Sequence, residues 1–291
     1  MRWAIITGMY NVADVAEPFC RYHLEQGADQ IIVAEYGSTD GTQDLLRPFA
    51  RRGEAIVVPI PTHRFVEYDP SNVLLAKIRE DKSADWVSFL DPDEFLTGPC
   101  ELKEALAEGR AEGHAILKTQ RRNMSGAVPP EARDHFLEKL NLKIIQPEVR
   151  VPSAASPLSS PWIFSQVSPK VSLAADCAGL TTIPGDHDVR APNDATISTA
   201  PDFEILHYPI RSYASFREKV ELTARYFAEN PEFGPGIGWH WRRWIKLLEA
   251  GELLGEYNAQ FPSKSSAAHL LKDGRVVEEE RLATWSRRRE T

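Results

Sequence analysis

Continuous apolar runs alternate with amphipathic stretches along the first hundred residues. Trp3-Ala-Ile-Ile-Thr7, Gln30-Ile-Ile-Val-Ala34, Ala55-Ile-Val-Val-Pro-Ile60 and Trp86-Val-Ser-Phe-Leu90 have the length and composition of buried strands. Between them, Asp14 to Gly27, Thr42 to Arg52 and Ser71 to Lys82 space their apolar residues as helices do. In the first of these, Val15, Phe19, Tyr22 and His23 form the apolar face and Gly27 is the C-terminal stop. Strands that are apolar throughout imply a parallel sheet covered on both faces. The pattern continues with a helix at Glu101–Arg110, a strand at Ala115–Gln120 and short strands at Lys170–Leu173 and Glu204–His207. Residues 125–165, rich in Pro and Ser, predict a long loop suited to a lid or an acceptor site. Tyr213 to Tyr257 reads as helical apart from the break Asn230–Gly238, and the charge-dense end, Glu278–Thr291, is expected to fray. The expected fold class is α/β, a mostly parallel sheet flanked by helices, with a helical C-terminal extension.

Composition narrows the function classes. With 34 Lys and Arg against 42 Asp and Glu, the 291-residue chain carries a net charge of −8, which disfavours general nucleic-acid binding. Cys20, Cys100 and Cys177 form no CxxC pair, so a zinc knuckle or disulfide framework is not indicated. The thiols suggest a reducing compartment and a cytoplasmic location. No apolar run approaches the ~20 residues that cross a bilayer.

The polar clusters all fall at strand ends, where sheets of this kind bind ligands. Thr7 to Asn11 follows the first strand, Glu35 to Asp40 the second, His63 and Arg64 the third, and Asp91, Asp93 and Glu94 the fourth. For the last cluster two readings stand side by side. Asp91-Pro-Asp-Glu94 has the residues of a helix start, with Asp91 as N-cap and Glu94 closing a capping box. It equally has the paired carboxylates that hold a divalent cation on a diphosphate. One such cluster is explained by a cap, but four on one rim are more economically a site.

Val33-Ala-Glu-Tyr-Gly-Ser-Thr-Asp-Gly-Thr42 and Trp86-Val-Ser-Phe-Leu-Asp-Pro-Asp-Glu-Phe95, in this order, resemble the GT-A glycosyltransferases, specifically bacterial family-2-like enzymes. The likeness extends to Asn11-Val-Ala-Asp14, Tyr22-His-Leu-Glu-Gln-Gly27, Gly185-Asp-His-Asp188 and Leu206-His-Tyr-Pro-Ile-Arg-Ser212, so it spans residues 1–220. It departs at Glu35, where the family usually has Asp, and at Tyr36, where an acidic or polar residue is common. The resemblance implies a catalytic domain over 1–210, with a nucleotide-sugar half (1–100) and an acceptor half (101–210), and a helical extension over 211–291. It implies transfer from a nucleotide-diphosphate sugar, a UDP-sugar first, to a glycan, lipid-linked or small-molecule acceptor, with inversion. Asp91 and Asp93 would ligate Mn²⁺ or Mg²⁺, Asp93 more directly and Asp91 nearer the ribose, with His207 as the third ligand. Thr7, Asn11, Glu35 and Asp40 would line the donor site. Asp188 would be the catalytic base, with Asp186 and Glu148 in reserve, and His187 would serve the metal or acceptor side. Lys170, Arg211, Arg217 and Lys219 are possible diphosphate contacts, with plain surface solvation as the default. The run Gly238–Trp244 is read as helix packing in preference to a sugar-stacking platform.

Two other functions remain open on the sequence. A sugar-phosphate nucleotidyltransferase uses a similar sheet, but usually carries a Gly-rich basic loop after the first strand. Gly8-Met-Tyr-Asn-Val-Ala-Asp14 has one glycine and no Lys or Arg. A non-catalytic nucleotide-sugar-binding protein would keep the fold without the intact acidic pair.

Overall fold

A computed structural model describes residues 1–61, 70–98, 101–131, 135–148, 161–191, 196–231 and 238–288. His63, Arg64 and Cys100 lie outside them. The chain divides into two compact units, Met1–Arg121 with Ser168–Leu206, and Arg122–Val167 with His207–Thr291.

The first unit contains β1 (Trp3–Met9), α1 (Ala16–Glu25), β2 (Gln30–Glu35), α2 (Thr42–Arg51), β3 (Ala55–Pro59), α3 (Pro70–Asp81), β4 (Trp86–Phe89), β5 (Glu94–Thr97) and α4 (Leu102–Ala111). It also holds the first part of β6 (Ile116–Ser125). The other strands and α-helices among the described residues are β7 (Leu142–Ile144), β8 (Lys170–Ala174), β9 (Thr181–Thr182), β10 (Val189–Arg190), β11 (Ile197–His207), β12 (Val276–Glu278), α5 (Phe136–Lys139), α6 (Tyr213–Glu229), α7 (Trp239–Glu249), α8 (Leu253–Ala259), α9 (Lys264–Lys272) and α10 (Arg281–Arg287). In the first unit β3, β2, β1 and β4 form a parallel core, and β8 joins β4 antiparallel. The α/β class read from the sequence is therefore the class observed. Side chains alternate across the pleat. Ala4, Ile6, Ile32, Ala34, Val87 and Phe89 pack on one face with Leu74, Leu75 and Ile78 of α3, while Trp3, Ile5, Ile31, Val33 and Trp86 are buried on the other. α1 packs on β2 and β5, and α2 on β3.

The second unit differs from the expected division. Residues 122–131, 135–148 and 161–167 belong with the C-terminal helices, because the end of β6 pairs with β7 and β7 pairs with β12. The expected frayed end is also corrected. β12 and α10 are ordered elements there, and α10 buries Leu282 and Ala283 at 1% and 2% exposure. The apolar pair decides this in spite of the surrounding charge. The tryptophan run of α7 packs within the unit, as the sequence favours. Trp244 is enclosed by Phe216 and Trp162, and its indole N–H donates to Glu256 at 3.1 Å. Among the described residues no helix is long and apolar enough to cross a membrane.

Candidate functional site

The segment after β4 is a tight turn. Glu94 N–H donates to the Asp91 carbonyl at 3.0 Å, and Asp91 N–H donates back to Glu94 Oε2 at 2.9 Å. This reciprocal pairing has the form of a capping box, yet no helix follows. The chain continues into β5, so the helix-cap reading is overturned. The reason lies in α1, where the dipeptide Tyr22-His23 grips both backbone groups of Leu96. Tyr22 hydroxyl donates to the Leu96 carbonyl at 3.1 Å, and Leu96 N–H donates to His23 Nε2 at 3.2 Å. His23 Nδ1 then carries the proton and donates to the Phe19 carbonyl at 2.9 Å. A turn of acids is thus anchored through the strand that follows it.

Burial drives the His23 imidazole down to about 3, far below its ordinary 6.5. The folded protein holds it neutral, whereas the unfolded chain takes up a proton below pH 6.5. Stability is therefore intact above pH 6.5 and falls as pH drops toward 3, by about 1.4 kcal/mol per unit from this group. Urea unfolding of wild type and His23→Gln between pH 7 and pH 4 is expected to show that extra slope only in the wild type. Parallel pH profiles would overturn it.

Around the turn lies a buried network. Glu94, fully enclosed, pairs with Arg121 Nη1 at 2.8 Å, and Lys170 Nζ stands 3.1 Å from Asp91 Oδ2 and 3.7 Å from Glu94. Burial pushes the Glu94 carboxyl up to about 7, with Lys170 and Arg121 opposing and Asp91 and Asp93 reinforcing the rise. For Lys170, burial alone lowers the ammonium, but Asp91, Glu94 and Asp186 outweigh it and hold it above its usual value. The two aspartates of the turn differ in access. The Asp91 side chain is 49% exposed and Asp93 is 1% exposed.

The Gly185–Asp188 loop reaches this network. Gly185 has φ +86, and an added Cβ would meet the His187 ring at 3.0 Å, so only glycine fits without strain. Lys170 donates to its carbonyl at 2.9 Å. Ser71, in the first turn of α3, donates to Asp186 Oδ2 at 2.9 Å, and burial raises the Asp186 carboxyl. Asp188 instead forms an ion pair with Lys118 at 2.7 Å with its side chain 51% exposed, and Lys118 holds it below the ordinary carboxylate range. His187 Nδ1 contacts the Pro169 carbonyl at 3.1 Å. Burial, followed by the charges of Arg121 and Lys170, lowers its imidazole to about 4.

The loops after β1 and β2 are stitched together. Glu35 accepts from Gly37 N–H (3.0 Å), Ser38 N–H (2.6 Å) and the Gln43 amide (3.1 Å). Asn11, at φ +48, accepts from Thr39 N–H at 2.8 Å and donates its own N–H to Ser38 Oγ at 3.0 Å. Asp40 accepts from Ala13 N–H and from the Thr42 N–H and hydroxyl. Burial raises the Asp40 carboxyl, but these bonds outweigh it and hold it low. Glu35 and Asp40 therefore organise the loops at this rim. Thr7 Oγ1 is buried and has no hydrogen-bond partner among the described residues.

In the second unit, His207 ends β11 at 6% exposure, with Nδ1 2.7 Å from Asn123 Oδ1. The Asn123 amide nitrogen donates to the Ile163 carbonyl at 2.8 Å, so its oxygen faces the ring. His207 Nδ1 therefore carries a proton and donates to Asn123. Glu148 pairs with Arg275 at 2.9 Å and lines a cleft of about 490 Å³ within this unit. Among the described residues, no group of three or more His, Cys, Asp or Glu side chains is placed to hold a metal ion.

Sequence reasoning did not single out Arg121 or Ser71, nor the clamping role of Tyr22 and His23. A signal existed for Arg121. Thr119, Arg121, Asn123 and Ser125 recur at every second position of β6 and all are buried, but the predicted strand ended at Gln120.

No family model and no curated protein sequence matches the chain. Similar solved structures include residues 1–349 of S. aureus TarS, at 17% identity over 88% of this chain and 80% of that one with a TM-score of 0.43. The mannosyltransferase PcManGT from Pyrobaculum calidifontis, solved with GDP-Man and Mn²⁺, is 17% identical over 94% of this chain and 79% of that one, with a TM-score of 0.37. Glucosyl-3-phosphoglycerate synthase from Mycobacterium tuberculosis, solved with Mn²⁺, UDP and glucosyl-3-phosphoglycerate, is 22% identical over 42% and 44%, with a TM-score of 0.28.

Proposed function

We propose that the protein is a divalent-cation-dependent, inverting GT-A glycosyltransferase. It would move a sugar from a nucleotide-diphosphate donor, a UDP-sugar first, to a hydroxyl of a glycan, lipid-linked or small-molecule acceptor. The observation that carries this reading is the Asp91–Glu94 turn, a half-exposed carboxylate over a buried acidic network at the carboxyl end of a parallel strand. Asp91, Asp93, Glu94 and Asp186 face two cations, Lys170 and Arg121, which leaves two negative charges in excess when all are ionised. That donor set suits Mn²⁺ or Mg²⁺ completed by phosphate oxygens, since Mg²⁺ commonly takes one or two carboxylates and fills its remaining places from the substrate. When bound, the cation would neutralise charge developing on the departing diphosphate.

Asp91 and Asp93 are the proposed cation ligands, with Asp91 the more accessible. His207 is left out of the proposed cation site, since among the described residues no three His, Cys, Asp or Glu side chains are placed to hold a metal ion. The orphaned Thr7 hydroxyl is a group that the donor's base or ribose would satisfy. Asn11, Glu35 and Asp40 would act by fixing the loops that face the donor.

For the base, the surroundings favour Asp186 over Asp188. A base works best with its pKa near the operating pH, and the Asp186 carboxyl is raised while that of Asp188 is lowered by Lys118. Asp186→Asn is expected to cut kcat by about 10²-fold or more, and Asp188→Asn to leave kcat within a few-fold. The reverse order in steady-state assays would return the role to Asp188.

The whole reading is tested by incubating the protein with UDP-, GDP- and dTDP-sugars plus Mn²⁺. Slow donor hydrolysis or thermal stabilisation by at least one donor is expected. Folded protein that responds to none would count against a glycosyltransferase.

A further inference from the structure

We infer that Lys170 is a built-in counter-cation of the acidic turn, which holds Asp91 in the metal-free protein and whose charge weakens cation binding there. The inference rests on the reading of Asp91 and Asp93 as cation ligands.

Lys170 opens β8 and is 1% exposed. Lysine is almost never so enclosed unless its charge is paired. An ammonium offers three N–H groups, and three partners surround this one. They are the Gly185 carbonyl at 2.9 Å, Asp91 Oδ2 at 3.1 Å and Glu94 Oε2 at 3.7 Å. Asp91 and Glu94 come from the turn after β4, and Gly185 from the loop that carries Asp186. One buried charge therefore ties together the two segments to which cation binding and proton removal are assigned. Solvent does not reach Nζ, while the Asp91 side chain is half exposed. A donor phosphate arriving from solvent meets Asp91 first, which makes Lys170 a positioning residue and not a donor contact.

The charge has a second consequence. A divalent cation taken up by the Asp91 carboxylate finds a like charge already ion-paired to that carboxylate. The two cations compete for it, and the repulsion between them persists because an enclosed lysine is poorly screened. Removing the lysine charge removes both the competitor for Asp91 and that repulsion, so cation affinity should rise. A residue that only supported the fold would have the opposite effect, since a loosened turn binds a cation less well.

The test uses the full-length chain as Lys170→Gln, which keeps a donor but no charge, and Lys170→Arg, which keeps the charge. Mn²⁺ alone is titrated, with binding read by calorimetry and by the loss of the free Mn²⁺ resonance, and melting temperature is measured with and without Mn²⁺. Lys170→Gln is expected to melt lower than wild type without metal, to recover on adding Mn²⁺, and to bind Mn²⁺ about 10-fold more tightly. Lys170→Arg is expected to bind near the wild-type level. Equal or weaker Mn²⁺ binding by folded Lys170→Gln overturns the inference, as does a variant that stays unfolded at every Mn²⁺ concentration, which makes the lysine a structural tie. Asp91→Asn and Asp93→Asn separate the two levels. If they bind Mn²⁺ as wild type does, or wild type binds none, the cation reading itself fails and the inference goes with it.

Discussion

Asp91→Asn is expected to lower sugar transfer by about 10²- to 10³-fold while the protein stays folded. The side chain is half exposed, and its contacts given by the structure are electrostatic: the Lys170 ammonium at 3.1 Å and the field of Glu94. The turn itself is held through the Asp91 backbone, whose N–H and carbonyl both bond to Glu94. Asparagine preserves those bonds and the side-chain volume but takes a charge partner from the enclosed Lys170, so melting temperature should fall, as for Lys170→Gln, with the fold retained. What is lost is the accessible negative charge proposed to hold a cation on the donor. Steady-state assays over a range of Mn²⁺ concentrations should show the deficit shrinking as Mn²⁺ rises. A variant with wild-type kcat and the same Mn²⁺ dependence would remove Asp91 from the site.

Arg121→Met is expected to destabilise the first unit by about 3–5 kcal/mol at pH 8, because it strips a buried carboxylate of its closest cation. Glu94 is 0% and Arg121 8% exposed, and the guanidinium also donates to the Ser168 carbonyl at 2.6 Å. The penalty depends on pH in a defined direction. The Glu94 carboxyl sits near 7 in the folded protein against 4.5 ordinarily, so the folded state prefers the protonated form. Its ionisation costs stability as pH rises from 4.5 through 7. Without Arg121 the folded-state carboxyl moves higher still and the decline continues past pH 7, so the loss should be smaller at pH 6 than at pH 8. Adding Glu94→Gln should recover part of the loss, since a neutral amide has no charge to strand. Urea unfolding of the two single variants and the double variant at both pH values measures this. A loss below about 1 kcal/mol at pH 8 would show the pair to be well solvated.

By itself the sequence determined the element order of the first ninety residues, up to the acidic turn. β1, β2, β3 and β4 and the helices between them are apolar runs and helical faces that local periodicity specifies, and their parallel pairing follows from burial on both faces. It also placed the acidic pair at a strand end, because strand ends are marked where apolar runs stop. Tertiary structure decided what local pattern leaves ambiguous. Asp91-Pro-Asp-Glu94 satisfies a helix cap and a turn equally well over four residues. The choice is made by Tyr22 and His23, 74 and 73 positions before the Leu96 backbone that they hold. Asp186 and Asp188 are indistinguishable in sequence, two positions apart in one loop. They separate only because Ser71 and Lys170 surround one and Lys118 the other. Lys170, read as a possible diphosphate contact, and Arg121, one residue past the predicted strand, take their roles only once the fold encloses them. A charge acquires its role from the dielectric and the partners around it, and those are set by contacts distant in the chain.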